Sequence, residues 1–144
     1  MSVFFSRQCE YAIQSIIYLA QKKEGQLTTI KEISSHLKIP FHFLGKIFQK
    51  LSRKKLLRSM KGVSGGFCLA KPADEIVLMD IILAVDGPDV MNLCVLGYKE
   101  CSKTEPCPMH DEWKETKETF FASLNRKNIR AIGKNMKKEG YVGT

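Results

Sequence analysis

Apolar side chains recur at helical spacing through the first third of the chain. In residues 7–23 they follow an i, i+3, i+4, i+7 pattern, which predicts an amphipathic helix that ends near Gly25. Thr29 and Glu32 then have the spacing of a capping box, so a short second helix is expected through Leu37. The apolar positions of these two helices are Ile13, Ile16, Ile17, Ala20, Ile30, Ile33 and Leu37.

A proline interrupts the pattern before it resumes. Pro40 disfavours helix at Ile39, and residues 41–54 then form a third amphipathic segment. Its predicted buried stripe is Phe43, Leu44, Ile47, Phe48 and Leu51. A helix, a short break and a second helix in this order are typical of a helix-turn-helix.

Two short extended runs follow the third helix. "LLRSM" and "FCLA" flank the glycine-rich segment "KGVSGG", a pattern that predicts a β-hairpin with a flexible tip. A helix-turn-helix followed by such a hairpin is the layout of a winged helix. The predicted fold is therefore mainly α with a small β-hairpin wing, and residues 1–75 form the winged helix-turn-helix domain.

The second half, residues 76–144, is predicted to be a separate unit. "IVLMDIILAVDG" indicates a short strand or turn and then a helix that stops at Gly87 and Pro88. A loop over residues 88–110 follows, and a long amphipathic helix begins at about Met109. Its apolar side is Trp113, Thr116, Phe120, Phe121 and Leu124. The basic segment 125–138 is predicted to form a short final helix.

Positive charge is concentrated in the predicted winged helix. The chain of 144 residues has a formal charge of +8. Between Ser34 and Ala73 it contains nine Lys or Arg residues and no Asp or Glu. A solvated helix face could carry such a charge, but its coincidence with the helix-turn-helix and the hairpin favours binding to double-stranded DNA.

The third helix is predicted to enter the major groove and the hairpin tip the minor groove. Residues near the start of the helix would lie closest to base edges, and the later Lys and Arg residues would mostly pair with phosphates. The predicted DNA-binding residues are His42, Gly45, Lys46, Gln49, Lys50, Arg53, Lys54, Arg58 and Lys61.

Three of the five cysteines lie in the predicted loop. Cys94, Cys101 and Cys107 are followed by His110, with the spacing C-x6-C-x5-C-x2-H. An odd number of cysteines argues against a simple disulfide framework. Three thiolates and an imidazole can hold zinc or an iron–sulfur cluster, and the wide intervals favour the cluster. Cys68 alternates with apolar residues in a predicted strand and is interpreted as structural, whereas Cys9 remains ambiguous.

The fourth ligand stays open at this point. His110 could ligate, or it could orient another ligand or lie on the surface. Glu10 in the first predicted helix, or Gln8 and Cys9 beside it, could supply the contact from a partner subunit, although a first-turn acid is also favoured by the helix dipole.

The absence of certain sequence motifs bears on whether the protein is an enzyme and on where it is located. The chain carries no nucleophile–base pair or phosphate-binding loop, so an enzyme is not predicted. No apolar run is long enough to span a bilayer, and the N-terminus lacks the features of a signal peptide, so we expect a cytoplasmic protein.

Several stretches together resemble the IscR/NsrR-type (Rrf2) family of bacterial winged-helix regulators, over nearly the full chain. They include "EYAIQSIIYLA", "TTIKEISSHLKIPFHFLGKIFQKLSRKKLLRS", "KGVSGGFCLA" and "LMDIILAVDGP". The three loop cysteines with His110 and Trp113 complete the resemblance. The first cysteine interval is one residue longer than the commonest family pattern. His42, Gly45 and Lys46 replace the family's more usual base-reading residues.

The resemblance implies a homodimer joined through the long helix at about 109–124, bound to an imperfect palindrome. It also implies that the loop cysteines hold a 2Fe-2S or 4Fe-4S cluster. The fourth ligand matches His110 in IscR-like members and Glu10 of the partner subunit in NsrR-like members. The resulting hypothesis is a transcriptional regulator, expected to be a repressor, whose cluster senses nitric oxide, redox state or iron. A metal-free thiol switch or a zinc-stabilised regulator of the same fold is the alternative.

Overall fold

A computed structural model describes residues 4–98 and 104–136 of the chain. Within this part, the helices are α1 (Arg7–Ala20), α2 (Ile30–Leu37), α3 (Phe41–Arg53), α4 (Leu78–Val85), α5 (His110–Arg126) and α6 (Ile129–Asn135). The strands are β1 (Leu57–Met60) and β2 (Gly66–Leu69), and single 3₁₀ turns occupy Ala73–Glu75 and Pro88–Asn92. The predicted fold class, mainly helical with a small hairpin wing, is confirmed.

The ends of the helices follow from local chemistry. Ser6 caps α1 by accepting a hydrogen bond from the Cys9 amide, and Thr29 caps α2 by accepting one from the Glu32 amide. Lys38 ends α2 in the left-handed region, with φ of 56°, so that the chain can turn into Pro40 and α3. The predicted capping residue and break are therefore confirmed, although α1 ends at Ala20 rather than near Gly25.

The wing is a two-stranded antiparallel sheet that is anchored to the helices. Arg58 pairs with Cys68 and Ser59 with Phe67, and an isolated bridge joins Thr28 to Phe67. The Phe67 ring meets the buried Phe48 ring of α3 edge-on, with ring centroids 4.9 Å apart. This contact fixes the hairpin against the third helix.

One hydrophobic cluster joins both halves of the chain. Leu44, Ile47, Phe48 and Leu51 of α3 are buried in it. The same cluster contains residues on the other side of the predicted boundary between 75 and 76, namely Ile76, Met79, Ile81, Ile82, Val85, Phe121, Leu124 and Ile129. Helix α4 packs on α1, α3 and α5, so it lies between α3 and the long helix α5. The division into two domains stays a prediction.

Two expectations need correction. Phe43 is only half-buried, because its ring lies between Tyr11 and His42 at the edge of the core. The long helix runs through Arg126, so the start of the predicted basic segment belongs to α5 and the final helix begins at Ile129. The end of that segment, residues 137–138, lies outside the described residues.

None of the helices in the described ranges is long and apolar enough to cross a bilayer.

Candidate nucleic-acid interface and cysteine loop

Helix α3 presents a polar outer face opposite its buried stripe. His42, Lys46, Gln49, Arg53 and Lys54 are all exposed. No side chain caps the start of the helix, and its first turn contains no acid. With Pro40 as the N-cap, the amide groups of the first turn and the cations further along all favour an anionic partner.

Two of the predicted DNA-binding cations have partners inside the protein. Lys50 is half-buried, and its Nζ donates to Oε1 of Gln8, 3.2 Å away. The Arg58 guanidinium donates to the Cys68 thiol at 3.7 Å, across the β1–β2 pair. Each of these two side chains is therefore held by an intramolecular hydrogen bond.

Aromatic contacts surround the first turn of α3. The His42 ring lies against Phe43 at a tilt of 33°, with centroids 4.4 Å apart, and Phe43 lies 5.9 Å from the Tyr11 ring of α1. These contacts favour a position of the imidazole at the outer face of the helix.

The wing tip is open and exposed. Lys61 and Val63 both point into solvent. A Cβ at Gly65 would lie 2.2 Å from the Met60 carbonyl oxygen, so only glycine allows the tip to fold back so tightly. The tip is thus a narrow projection that carries one cation at its base.

Two predicted cluster ligands come together in the cysteine loop. The Cys107 thiol hydrogen-bonds the Cys94 side chain. Backbone N–H groups of Leu96 and Tyr98 also donate to the Cys94 sulfur, and the Gly97 amide donates to the Cys94 carbonyl oxygen at 3.0 Å. Although desolvation opposes ionisation, these hydrogen bonds together lower the pKa of Cys94 below its ordinary value. The amide groups thus form a cradle that stabilises a thiolate.

The remaining predicted ligands are only partly placed. Cys101 lies outside the described residues. His110 is the first residue of α5, and its amide donates to the Cys107 carbonyl oxygen at 3.0 Å. Oε1 of Glu10 is shielded from solvent without a hydrogen bond, and the nearest cation is Arg7 at 3.7 Å. Among residues 4–98 and 104–136, no three metal-ligating side chains converge.

The loop is tied to the long helix next to Cys94. The indole Nε1 of Trp113 donates to the Leu93 carbonyl oxygen at 2.7 Å. The Trp113 ring also stacks on Phe4, with an interplanar angle of 5°. The chain's single tryptophan therefore joins the residue before Cys94 to the N-terminal segment.

Asp86 ties the start of α1 to the end of α4. Its carboxylate accepts hydrogen bonds from the Ser6 amide at 3.0 Å, from the Ser6 hydroxyl and from the Cys9 thiol. Burial first, and then the charges of Asp86 and Glu10, raise the pKa of Cys9 to about 12. Cys9 is thus a protonated core thiol, and Cys68 is buried too, as expected from its strand.

The environments of these thiols predict an order of alkylation. In reduced, metal-free protein, iodoacetamide should modify Cys94 at least about tenfold faster than Cys9 or Cys68, because only the thiolate reacts. Since the pKa of Cys94 is lowered, its rate should reach half-maximum at a lower pH than that of an unperturbed thiol. Peptide mass spectrometry after brief labelling measures this order. Equal labelling of Cys9 and Cys94 in the folded protein would contradict the assignment, and unfolded protein provides the control in which the thiols react alike.

Sequence patterns missed three features of this region. They are the Trp113–Leu93 hydrogen bond, the Asp86–Ser6 pair and the exposed Phe41 ring at the start of α3. For the Trp113–Leu93 contact, the sequence offered one signal, which is the position of Trp113 directly after the cysteine–histidine motif. Nothing in the spacing of Ser6 and Asp86, eighty residues apart, indicates their contact.

Comparisons with known proteins agree with this geometry. The family model described as "Rrf2: Iron-dependent Transcriptional regulator" matches residues 5–142. An HTH-type transcriptional regulator of Aquifex aeolicus (strain VF5) is 34% identical over 132 residues, which cover 88% of this chain and 91% of that protein.

Two solved structures share the fold. CymR (YrzC), the global cysteine regulator of B. subtilis, superposes with a TM-score of 0.79 at 22% identity, covering 92% of this chain and 98% of that one. The T. potens IscR superposes with a TM-score of 0.73 at 19% identity, covering 96% and 92%.

Proposed function

The chain belongs to the Rrf2 family of DNA-binding transcriptional regulators, and from this premise we propose that it is a repressor whose operator affinity is set by an iron–sulfur cluster at the cysteine loop. The DNA partner is an imperfect palindrome bound by a homodimer, in the bacterial cytoplasm. Each α3 enters a major groove, and each wing tip reaches a minor groove.

One observation carries this proposal. Two cysteines of the loop meet beneath a set of backbone amides, at a half-exposed position tied to a long helix. Amide donors around cysteine sulfur are one of the means by which proteins hold and tune iron–sulfur clusters. A buried structural thiol has no need of them, as Cys68 illustrates with its single Arg58 contact.

The donor set fits a cluster. Cys94, Cys101 and Cys107 would supply three thiolates, and His110 or Glu10 of the partner subunit would supply the fourth contact. When bound, the cluster would supply an inorganic centre sensitive to nitric oxide, redox state or iron supply. Glu10 could take this role only if its carboxylate turned outward from its ion pair with Arg7, whereas His110 suits it through its short spacing from Cys107.

The protein's own residues would carry the signal to DNA. The Trp113 indole holds the loop to α5, and α5 packs on α4, which in turn packs on α3. A change in the loop would therefore shift α5, and through it the spacing of the two α3 helices in the dimer. A tenfold change in operator affinity requires a difference of only about 1.4 kcal/mol between the two arrangements.

The proposed dimer joins two copies of α5. Between α5 and the 3₁₀ turn Pro88–Asn92 lies a cavity of about 460 Å³, which is lined by Met91, His110 and Phe121 among others. A further groove along α5, of about 510 Å³, contains Phe120. Partly apolar grooves along the outside of a long helix suit the packing of a second helix.

The proposal predicts iron and sulfide in the loaded protein. Anaerobic reconstitution should give stoichiometric iron and sulfide and a visible absorption spectrum. Cys107→Ser should lose most of both, whereas Cys68→Ser, a matched change at a buried thiol, should retain them. His110→Ala and Glu10→Ala should separate the two possible fourth ligands, because only the true ligand alters the spectrum. Wild-type protein without iron or sulfide after reconstitution would contradict the proposal.

A thiol-redox switch is a second candidate, favoured by the Cys94–Cys107 contact and the lowered pKa of Cys94. Hydrogen peroxide would take two electrons from the thiol pair, forming a disulfide and two waters. In this case mass spectrometry of mildly oxidised, metal-free protein would show a Cys94–Cys107 disulfide. Operator affinity would change when this disulfide forms, although the protein contains no iron. Zinc in elemental analysis would instead indicate a structural metal site.

A further inference from the structure

Gly45 stands in the interior of α3 without a structural reason. A Cβ built at this position meets nothing within 4 Å, and its φ is not in the left-handed region. Glycine destabilises a helix interior relative to alanine, because it adds backbone freedom to the unfolded chain. The fold would therefore accept alanine here and gain stability from it.

Phe41 is equally unexplained by the fold. It is the first residue of α3, and 58% of its surface is exposed. The buried stripe of the helix is completed without it, by Leu44, Ile47, Phe48 and Leu51. Among the described residues, no other aromatic ring contacts it. A single exposed apolar side chain is common on protein surfaces, but this one lies at the edge of the positively charged outer face of α3.

The two residues are neighbours on one side of the helix. Positions four apart lie one above the other, so the row Phe41–Gly45–Gln49 runs along the border of the outer face. The Phe41 side chain leans toward the start of the helix, and the missing side chain at Gly45 leaves the surface on its C-terminal side open as a notch. His42, whose ring lies against Phe43, is on the same turn.

We propose that Phe41 and Gly45 form a notch that reads the 5-methyl group of thymine. This inference rests on the proposed entry of α3 into the major groove. The thymine methyl is the one apolar group that standard base pairs present in that groove. The Phe41 ring would contact it, and the bare backbone at Gly45 would let the helix approach the base edge closely.

Deoxyuridine differs from thymidine by this methyl group alone and therefore provides the test. An operator is first selected from random duplexes with the wild-type chain, and each thymine is then replaced in turn by deoxyuridine. At one thymine per half-site, wild-type affinity should fall about fourfold, the value for one buried methyl group. Phe41→Ala should bind the thymine operator about as weakly and should not distinguish the two bases. Phe41→Leu, which keeps an apolar contact, should retain part of the discrimination.

Gly45→Ala provides an independent test, because its expected effects on stability and on operator affinity have opposite signs. Its melting temperature should rise by roughly 2–6 °C, because the helix gains propensity. Its operator affinity should nevertheless fall about tenfold or more, since the methyl group fills the notch. A substitution that weakened binding only by destabilising α3 would lower stability and affinity together, so opposite signs exclude that explanation.

The outcomes separate this inference from the function on which it rests. If no operator can be selected, the proposed DNA reading by α3 itself fails. If an operator is selected but deoxyuridine affects wild type and Phe41→Ala equally, the role of Phe41 is overturned while DNA binding stands. A Gly45→Ala protein that is more stable and binds with full affinity overturns the role of Gly45.

Discussion

Replacing Arg53 and Lys54 together by glutamine is expected to weaken operator binding about 30-fold or more. Both side chains are exposed at the end of α3, where no acid of the neighbouring sequence neutralises them. If each pairs with a phosphate, each contributes a charge-assisted hydrogen bond of roughly 1–1.5 kcal/mol. The slope of log affinity against log salt should also fall by about 1.8, which corresponds to two phosphate contacts.

A matched control uses two cations outside the proposed interface. Lys127→Gln with Lys134→Gln removes the same charge from the end of α5 and from α6, outside the grooves assigned to the dimer, and should change affinity little. Fluorescence anisotropy at four or five salt concentrations measures both quantities. Equal losses in the two double variants would mean that net charge, rather than the face of α3, attracts the DNA.

Asp86→Ala is expected to lower the free energy of unfolding by about 2 kcal/mol, or the melting temperature by roughly 8 °C. The change removes the acceptor for the Ser6 amide, the Ser6 hydroxyl and the Cys9 thiol. Ser6 is the N-cap of α1, so its loss of position also weakens the cap. Because the Asp86 charge contributes to the raised pKa of Cys9, that pKa should fall in the variant.

Asp89→Ala serves as the control for this prediction. Asp89 is an exposed acid in the next turn of the chain, and its removal should cost little. Asp86→Asn, which keeps one oxygen acceptor, should lie between the two. Thermal unfolding followed by circular dichroism measures the three variants, and an Asp86→Ala protein as stable as wild type would show that the Ser6 contacts contribute nothing.

Local signals in the sequence were sufficient for the main elements of the fold. Periodic apolar residues predict α1, α2 and α3, and Thr29 and Pro40 mark boundaries that the structure has. These signals succeed because helix caps, proline and glycine act on the backbone within a few residues. The family is indicated by the resemblance of several stretches that contain these elements, together with the three loop cysteines, His110 and Trp113.

Contacts between distant segments could not be predicted in this way. Ser6 meets Asp86 and Trp113 meets Leu93 because α1, α4 and α5 pack on one another, and no periodicity encodes these pairs. The same reason explains the incorrect prediction for Phe43, whose position in the helical repeat indicated burial. Its ring lies at the edge of the core, where it contacts His42 and Tyr11 instead.

The candidate site was predictable in its residue types but not in its chemistry. The spacing of Cys94 and Cys107 indicated a shared ligand site, whereas the amides that cradle the Cys94 sulfur depend on the backbone path after it. That path includes Gly97, whose φ of 85° favours glycine. The role of Gly45 is similar, since a glycine in a helix gains meaning only once its surroundings are known to be open.

The central claim is that the state of the cysteine loop sets the affinity of α3 for its operator. The direct measurement is the operator Kd of one anaerobic preparation, determined before and after removal of its iron and sulfide, at fixed salt. The account predicts at least a tenfold difference for the wild-type chain and none for Cys107→Ser. Equal Kd values for loaded and stripped wild-type protein would contradict it.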